Sequence, residues 1–386
     1  MISRTVSAAL ALAAVLLLSA VVNHSAQAQT FGLLYSFTNE TDGGYPYSTL
    51  VQDAAGNLYG TTYYGGAYTY GTAFELSTGP ETVLHSFGNG MGDGSSPFAG
   101  LVRDSSGNLY GTTYSGGASG YGTVFMLDTT GKETILHSFA GGADGNSPIY
   151  GSLVRDGSGN LYGTTKLGGA SGVGTVFKVT KTGKETVLYS FTNGPDGGYP
   201  FGGLVRDSSG NLYGTTYSGG ASSVGTVFKV TKTGTETVLY NFAGGADGEY
   251  PYAGLVRDTS GNLYGTTSEG GHSNVGTVFK VTPTGHETVL YSFAGGKDGA
   301  NPFAGLVRDT KGNLYGTTEA GGASGVGTVF KLTATGKETV LHTFTAGKTD
   351  GANPFGGLVR DAAGNLYGTT FVGGAFGHGA VYEITP

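Results

Sequence analysis

The residues best suited to catalysis are three glutamates that lie in links between repeated segments. Glu249, Glu269 and Glu319 are acids of these links that do not recur in every repeat, and His272 follows Glu269 closely. Two carboxyl groups held roughly 5 to 9 Å apart can hydrolyse a glycosidic bond. The sequence therefore leaves open a carbohydrate- or lactone-active hydrolase, although neighbouring surface loops also bring acids together by chance.

Two residue types could bind a metal ion, but both recur in patterns that favour structural roles. His85, His137 and His342 occupy a position that holds Tyr189 in another repeat, which indicates packed aromatic residues. Calcium requires several oxygen ligands, whereas a series of Asp-Gly pairs offers one carboxylate per link. We interpret these aspartates as turn residues, and we predict no metal site and no cofactor. The series is Asp42, Asp93, Asp144, Asp196, Asp247, Asp298 and Asp350.

A sevenfold repeat positions all of these residues. The steps between copies are 51 or 52 residues, a period that suits a propeller blade. Each unit contains four runs of strand-forming residues bounded by turn signals, which we name strands A to D. The motif Gly-Asn-Leu-Tyr-Gly-Thr-Thr begins at Gly56, Gly107, Gly159, Gly210, Gly261, Gly312 and Gly364.

The two ends of the repeat region complement each other. The seventh unit supplies strands A, B and C, but no strand D follows. Residues 33–37 (Leu-Leu-Tyr-Ser-Phe) match the strand-D segment 187–191 (Val-Leu-Tyr-Ser-Phe) of another unit. Pairing the first strand with the last unit removes two open sheet edges. We therefore predict an all-β, seven-bladed β-propeller of four-stranded blades, closed by the N-terminal strand, with a linear β-solenoid as the alternative.

The N-terminal segment predicts export. Residues 1–28 combine Arg4, an apolar run and the cleavage site Ala26-Gln27-Ala28, as in a secretory signal peptide. We expect residues 29–386 to form one propeller domain that is secreted, periplasmic or cell-surface. No second hydrophobic segment follows, so we expect no membrane span in the mature form, and the chain has no Cys for disulfides.

Charge and composition exclude one class of partner. The formal net charge is −7, and Lys and Arg do not cluster. Because nucleic-acid binding depends on concentrated positive charge, we expect no nucleic-acid partner. We expect a monomer.

The repeat unit resembles a known family. The order Asp-Gly-x-x-Pro, Gly-Leu-Val-Arg-Asp, Gly-Asn-Leu-Tyr-Gly-Thr-Thr, Gly-Thr-Val-Phe and Glu-Thr-Val-Leu is similar to the GloVer tandem repeat of exported bacterial proteins. The resemblance covers residues 31–386 and implies a surface or extracellular repeat protein without an assigned activity. The blade pattern is also similar to NHL and gluconolactonase-like propellers, which implies that strand A is innermost and strand D outermost.

Residues that recur in every unit favour structural roles. We interpret the strand-A arginines as paired with a neighbouring blade or with their own turn aspartate, although a positive ring near the axis could hold an anion. The aspartates of the A–B turn suit Asx turns. We interpret the glutamates before strand D as solvated strand starts: Glu81, Glu133, Glu185, Glu236, Glu287 and Glu338.

Residues that differ between units concentrate in the B–C and D–A links, which an up-and-down blade places on one face. This face is rich in Tyr, which suits stacking on sugar rings or a protein partner, although Tyr could also shield the blade ends. We predict a non-enzymatic binding or interaction module for a glycan or protein ligand, with no catalytic residue assigned. The candidate ligand-binding residues are Tyr45, Tyr47, Tyr63, Tyr64, Tyr68, Tyr70, Tyr114, Tyr121, Tyr199, Tyr217, Tyr250, Glu249, Glu269, His272 and Glu319.

Overall fold

The chain forms seven antiparallel four-stranded sheets arranged as a β-propeller. A computed structural model describes residues 29–77, 80–90 and 92–385. Six sheets contain strands A to D in sequence order, and the seventh contains strands A to C of the last unit with the N-terminal strand at its outer edge. The predicted fold class is therefore confirmed. The predicted signal peptide, residues 1–28, lies outside the described residues.

The inner two strands of each blade come from the most regular part of the repeat. Strands A are only two residues long and pair with the much longer strands B. Strands A are Val51–Gln52, Val102–Arg103, Val154–Arg155, Val205–Arg206, Val256–Arg257, Val307–Arg308 and Val359–Arg360. Strands B are Leu58–Thr62, Leu109–Thr113, Leu161–Thr165, Leu212–Thr216, Leu263–Thr267, Leu314–Thr318 and Leu366–Thr370.

The outer two strands complete each blade. Strands C are Thr72–Leu76, Thr123–Leu127, Thr175–Val179, Thr226–Val230, Thr277–Val281, Thr328–Leu332 and Ala380–Thr385. Strands D of blades 1 to 6 are Thr82–Ser86, Glu133–Ser138, Glu185–Ser190, Glu236–Asn241, Glu287–Ser292 and Glu338–Thr343, and strand D of blade 7 is Thr30–Ser36. Short pairs join Gly94–Ser95 to Ser115–Gly116 and Gly351–Ala352 to Val372–Gly373, and 3-10 turns cover Gly142–Asp144 and Gly245–Asp247.

The N-terminal strand closes the ring as predicted. Phe31 lies opposite Ile384 and Ser36 lies opposite Ala380 in an antiparallel ladder. This pairing removes the exposed edge that strand C of blade 7 would otherwise present. The hydrophobic layer between blades 7 and 1 contains Phe37 together with Leu50 and Phe74. Equivalent layers fill the other six interfaces between blades.

The central glycine of strand B is required by close packing. A β-carbon at Gly163 would lie 2.6 Å from Cζ of Phe177 and 2.8 Å from Cδ2 of Leu153. No side chain fits at such distances without moving the core. The Gly of each Leu-Tyr-Gly-Thr-Thr motif therefore makes room for the aromatic ring of strand C.

The strand-A arginines are paired with the preceding blade, as the sequence indicates. The guanidinium carbon of Arg155 lies 5.5 Å from the centroid of the Tyr110 ring, and Nη2 lies 3.8 Å from Oδ2 of Asp104. All six strand-A arginines make the cation–π contact with the preceding blade. These contacts give the arginines a structural role between blades.

The A–B turns are Asx turns, as predicted. Oδ1 of Asp156 accepts the Asn160 main-chain N–H at 2.9 Å, and Oδ2 accepts the Tyr162 hydroxyl at 3.0 Å. Burial would raise the pKa of Asp156, but the hydrogen bonds from Asn160 and Tyr162 outweigh it and lower the pKa to about 2. The carboxylate therefore fixes both the turn and the start of strand B.

The Asp-Gly series of the D–A links also has the predicted turn role. Oδ2 of Asp196 accepts the Thr192 main-chain N–H at 2.9 Å and the Tyr189 hydroxyl at 2.9 Å. Each of the seven aspartates accepts a main-chain N–H in this way. At least one oxygen of each carboxylate is thus occupied by a donor from its own link.

One structural expectation was wrong. The glutamates before strand D are half-buried in the interface with the preceding blade, not solvated. Burial, followed by the charge of Asp196 on the preceding D–A link, raises the pKa of Glu236 to about 7. The sequence does not show this because the interface joins residues from two different units.

Across the part of the chain that the structure describes, no helix has the length and apolar character needed to span a membrane.

Candidate functional site

The variable links lie together on one face, as predicted. In every blade the D–A link forms an antiparallel bridge or short ladder with the B–C link that follows it. Gly44 pairs with Tyr64 in blade 1, and Glu249 pairs with Glu269 in blade 5. We call the surface formed by these links the link face.

The residue before the proline of each D–A link connects two blades. The Tyr250 N–H donates to the Val224 carbonyl of the preceding B–C link at 2.9 Å, and its own carbonyl accepts the Ser268 N–H at 3.1 Å. All seven equivalent residues have a left-handed backbone, with φ between 52° and 57°. Such a conformation is strained for a non-glycine residue and often marks a functional surface. These residues are Tyr45, Ser96, Ser147, Tyr199, Tyr250, Asn301 and Asn353.

Seven aromatic side chains, one from each blade, form a closed ring where the D–A links enter strand A. We call this set the axial aromatic ring. The distances between ring centroids are 5.3 Å for Tyr47–Phe98, 5.5 Å for Phe98–Tyr150, 6.0 Å for Tyr150–Phe201, 4.7 Å for Phe201–Tyr252, 5.1 Å for Tyr252–Phe303, 5.8 Å for Phe303–Phe355 and 4.5 Å for Phe355–Tyr47.

The ring narrows the centre of the propeller. The Tyr150 ring also contacts the rings of Tyr47 and Tyr252, with 5.3 and 5.0 Å between ring centroids. Burial, together with contact with Tyr150, raises the pKa values of Tyr47 and Tyr252 far above the usual tyrosine range. Three neutral tyrosines and four phenylalanines therefore surround the axis at this end of the propeller.

A cavity of about 230 Å³ adjoins the axial aromatic ring along the axis. Its wall is mostly main chain and small side chains, such as Ser48, Gly203 and Ala304, and it contains no carboxylate among the described residues. A β-carbon at Gly202 would lie 2.5 Å from the Ala253 carbonyl carbon, so adjacent blades meet backbone to backbone here. The cavity therefore offers apolar surface together with hydroxyl and carbonyl groups.

The exposed aromatic residues of the link face cluster in blades 7, 1 and 2. We call Tyr64, Tyr68, Tyr70, Tyr121 and Phe376 the aromatic sector; their exposed fractions are 45, 41, 51, 45 and 59%. Among the described residues, Leu34 is the one other large hydrophobic side chain that is as exposed. Exposed apolar groups concentrated in one region indicate a binding surface.

Half-buried aromatic residues support this sector. Tyr63 stacks on Phe98 with 4.2 Å between ring centroids and contacts Tyr64 at 4.0 Å. The hydroxyl of Tyr45 lies 2.9 Å from Nδ1 of His378, which joins blades 1 and 7. Tyr114 packs edge-on against Phe98 at 5.6 Å. Tyr45 and Tyr63 therefore position the exposed ring of Tyr64, and Tyr114 packs against the axial aromatic ring.

A second group of candidate residues lies in blades 4 and 5. Tyr217 stacks on Tyr250 with 4.9 Å between ring centroids and contacts Tyr252 of the axial aromatic ring. The Tyr199 carbonyl accepts the Tyr217 N–H at 3.1 Å, so Tyr199 fixes the start of this B–C link. This group is more buried than the aromatic sector.

The candidate acids do not form one catalytic set. Glu249 and Glu269 lie opposite each other on a single antiparallel bridge, and burial followed by the charge of Glu269 raises the pKa of Glu249. Glu319 belongs to blade 6, where its Oε1 accepts a hydrogen bond from Nδ2 of Asn353 at 2.9 Å. His272 is exposed, and its main-chain N–H donates to Oγ of Ser292 at 2.7 Å.

The sequence analysis missed most of the axial aromatic ring, since it named Tyr47 alone. The signal was present: every unit has an aromatic residue three positions before the leucine that precedes strand A, as in Phe201-Gly202-Gly203-Leu204. A residue that recurs in all units is expected to stabilise its own blade. In a closed ring, however, sevenfold recurrence also places the residue around the axis.

The repeat has a counterpart among known families. The profile described as the Gloeobacter/Verrucomicrobia repeat matches residues 20–158, 76–259, 132–312 and 208–386, which overlap to cover nearly the whole chain. No curated protein matches the chain significantly.

Solved structures with the same fold share little sequence with the chain. The extracellular domain of a protein assigned as a hybrid two component system, BT4673 from B. thetaiotaomicron, has a TM-score of 0.59 at 13% identity over 92% of this chain and 39% of that one. A protein assigned as a 6-phosphogluconolactonase from Bacteroides uniformis has a TM-score of 0.51 at 17% identity, covering 80% of this chain and 86% of its own. The chain thus spans about two fifths of the first relative.

Proposed function

This chain belongs to the Gloeobacter/Verrucomicrobia repeat family, and we propose that it is an exported, non-catalytic propeller that binds carbohydrate through the aromatic sector of its link face. The observation that carries the proposal is the concentration of exposed aromatic rings in three consecutive blades. The repeats are otherwise nearly identical, so this asymmetry distinguishes one side of the ring.

The chemistry of the sector suits a neutral sugar chain. Four of its five members are tyrosines, which combine a flat apolar face with a hydroxyl that can donate or accept a hydrogen bond. The surrounding link residues are largely Gly, Ser and Ala, which leave the ring faces accessible. Sugar rings offer the same combination of apolar faces and hydroxyl groups, whereas an anionic ligand would favour clustered Lys or Arg, and Lys348 is an isolated exposed cation in the D–A link of blade 7.

The structural relatives support binding in an extracellular setting. The relative with a TM-score of 0.59 is named as an extracellular domain, and residues 1–28 of this chain read as a signal peptide. The likeness covers only 39% of that relative, so its whole-protein activity is not transferred here. Export is testable by mass spectrometry of the secreted chain, which we expect to begin at Gln29.

A glycan array tests the proposal. We expect the purified protein to bind one class of neutral polysaccharide and a folded variant with Tyr64, Tyr70 and Tyr121 changed to Ala to lose that signal. Each exposed ring contributes about 1 kcal/mol, so three losses together lower the affinity at least thirtyfold. An array that is blank for the wild type, or equally bright for the variant, contradicts carbohydrate binding by this sector.

One observation favours a second candidate, a hydrolase that acts on carbohydrate or lactone substrates. Directly opposed residues of an antiparallel pair have β-carbons about 5 Å apart, so the carboxyl groups of Glu249 and Glu269 can approach the spacing of retaining glycosidases. This reading predicts turnover of a polysaccharide or lactone that Glu269→Gln abolishes and Glu319→Gln leaves intact. If the wild type turns over none of these substrates, only the binding function is left.

A further inference from the structure

Three metal-ligating groups meet between blades 1 and 2. His85 lies near the end of strand D in blade 1, Asp93 lies in the D–A link that follows, and Glu133 begins strand D of blade 2. Nitrogen and oxygen atoms of the three side chains lie within 4.8 Å of one another. The sequence analysis did not bring them together because Glu133 comes from the next unit.

In the other six blades, the side chain at the position of His85 is hydrogen-bonded to the aspartate of its own D–A link. The Tyr189 hydroxyl donates to Asp196 at 2.9 Å, and Nε2 of His137 lies 3.2 Å from Asp144. Nε2 of His85, in contrast, lies 3.6 Å from Oδ1 of Asp93 and 3.8 Å from Oε2 of Glu133. These distances are too long for hydrogen bonds.

The cluster contains buried polar atoms without hydrogen-bond partners. Within the described structure, these atoms are His85 Nε2, Asp93 Oδ1 and Glu133 Oε1. The equivalent glutamate Oε1 also has no partner in the five other blades that carry it, so the pair of His85 Nε2 and Asp93 Oδ1 distinguishes this cluster. The side chains of His85, Asp93 and Glu133 are only 17, 8 and 12% exposed. Buried polar atoms without partners are rare in native proteins and are often explained by an ion or a water molecule.

The spacing of the atoms suits a shared metal ion. Two ligands that each lie about 2.0–2.1 Å from a tetrahedral ion are roughly 3.4 Å from each other. The separations of 3.6 and 3.8 Å around His85 Nε2 are close to this value and need only small side-chain adjustments. Imidazole nitrogen and carboxylate oxygen both bind zinc, and catalytic zinc sites use three protein ligands and a water molecule, whereas calcium favours oxygen ligands alone.

We propose that His85 Nε2, Asp93 Oδ1 and a Glu133 carboxylate oxygen bind a divalent transition-metal ion of the zinc class, with a water molecule at the fourth position. The ion joins the outer strands of blades 1 and 2. Asp93 also accepts the Gly88 N–H at 2.8 Å, and the ring of Tyr70 packs against Gly88. The site therefore lies behind one member of the aromatic sector.

Calorimetric titration of the chelator-treated full-length protein with ZnCl₂ tests the site. His85→Tyr introduces the residue that blades 3 to 5 hold at this position, so we expect this variant to fold. His137→Tyr makes the same change in blade 2 and is the matched control. We expect the wild type and His137→Tyr to bind one more zinc equivalent than His85→Tyr, and CaCl₂ to bind at none of these positions.

Thermal unfolding gives a second readout of the same ion. Zinc should raise the Tm of the wild type and of His137→Tyr, but not that of His85→Tyr, because only the native site binds the ion. Glu133→Gln, checked for folding by circular dichroism, should weaken zinc binding by at least tenfold. If the wild type binds no zinc, or if His85→Tyr binds as much as the wild type, the proposal is overturned.

Discussion

The hydroxyl of Thr369 donates a hydrogen bond of 3.0 Å to the main-chain carbonyl of Ser48, which lies 321 positions away in the sequence. The bond ties strand B of blade 7 to the segment that enters strand A of blade 1. Equivalent bonds cross other blade interfaces, for example from Thr215 to the Ala253 carbonyl at 2.8 Å. The interface that closes the ring is therefore built like those between consecutive units.

Phe37 tests whether ring closure supports the whole fold. Its side chain is fully buried and packs edge-on against Phe74 with 5.1 Å between ring centroids. Phe37→Ala should lower the free energy of unfolding by about 3–5 kcal/mol because it leaves a cavity between blades 7 and 1. Denaturant unfolding monitored by circular dichroism measures this change.

Leu34 is the control for that experiment, since it lies on the strand that ends just before Phe37 and is 40% exposed. Leu34→Ala should cost less than about 1 kcal/mol. Equal effects of the two substitutions would contradict a closed ring held by the N-terminal strand.

Replacing threonine with valine should affect the stability of the protein differently at Thr112 and at Thr215. Both are buried, but Thr215 Oγ1 has an acceptor in the next blade, whereas Thr112 Oγ1 has no hydrogen-bond partner among the described residues. Ile149 is an extra residue in the link that would supply the acceptor. Thr215→Val should destabilise the protein by about 1–2 kcal/mol, and Thr112→Val should be neutral or stabilising. Chemical denaturation measures the free energy of unfolding of both variants. Equal losses of stability would show that the hydrogen bond between blades does not account for the effect of Thr215→Val.

Because of the glutamates before strand D, the folded protein should become less stable as the pH rises from 5 to 8. Burial, followed by the charge of an aspartate on the preceding link, raises their pKa values from 4.5 to about 7. The stability gained from the bound protons is complete below pH 4.5 and is lost as the pH rises through 7. Asp156, with a pKa lowered to about 2, acts in the opposite direction only in stronger acid. The glutamates are Glu81, Glu185, Glu236, Glu287 and Glu338.

Glu236→Gln isolates one of these groups. Glu236 faces Asp196 and Tyr189 of the preceding blade, and a neutral amide there cannot ionise. The urea midpoint of this variant should depend less on pH between 5 and 8 than that of the wild type. A wild-type protein that is more stable at pH 8 than at pH 5 would refute this account.

The sequence predicts the fold well because the repeat is regular and the closing strand is recognisable. The match between residues 33–37 and 187–191 identifies the ring closure. Contacts between neighbouring units are much harder to predict. The sequence leaves open whether Arg155 pairs with a neighbouring structural group, as it does with Asp104, or helps to hold an anion near the axis. It does not predict that Glu236 is buried against Asp196. Both contacts join residues of two consecutive units, and the sequence of one unit does not show how it packs against the next.

The candidate site could be predicted only in part for a similar reason. Variation between units correctly leads to the link face, but it does not separate exposed rings such as Tyr121 from supporting rings such as Tyr63. It also misses Phe201 and the other recurring members of the axial aromatic ring. These residues contact one another only because seven units close around a common axis, and the sequence of a single unit does not show this arrangement.

Affinity for the polysaccharide found on the array tests the central claim most directly. We would compare Tyr121→Ala, which removes a 45% exposed ring of the aromatic sector, with Leu34→Ala, which removes a 40% exposed side chain from the outer strand of blade 7. Carbohydrate binding by the aromatic sector predicts that Tyr121→Ala raises the Kd several-fold, in line with about 1 kcal/mol for one ring, and that Leu34→Ala leaves it unchanged. An unchanged Kd for Tyr121→Ala, or equal losses in both variants, would contradict it.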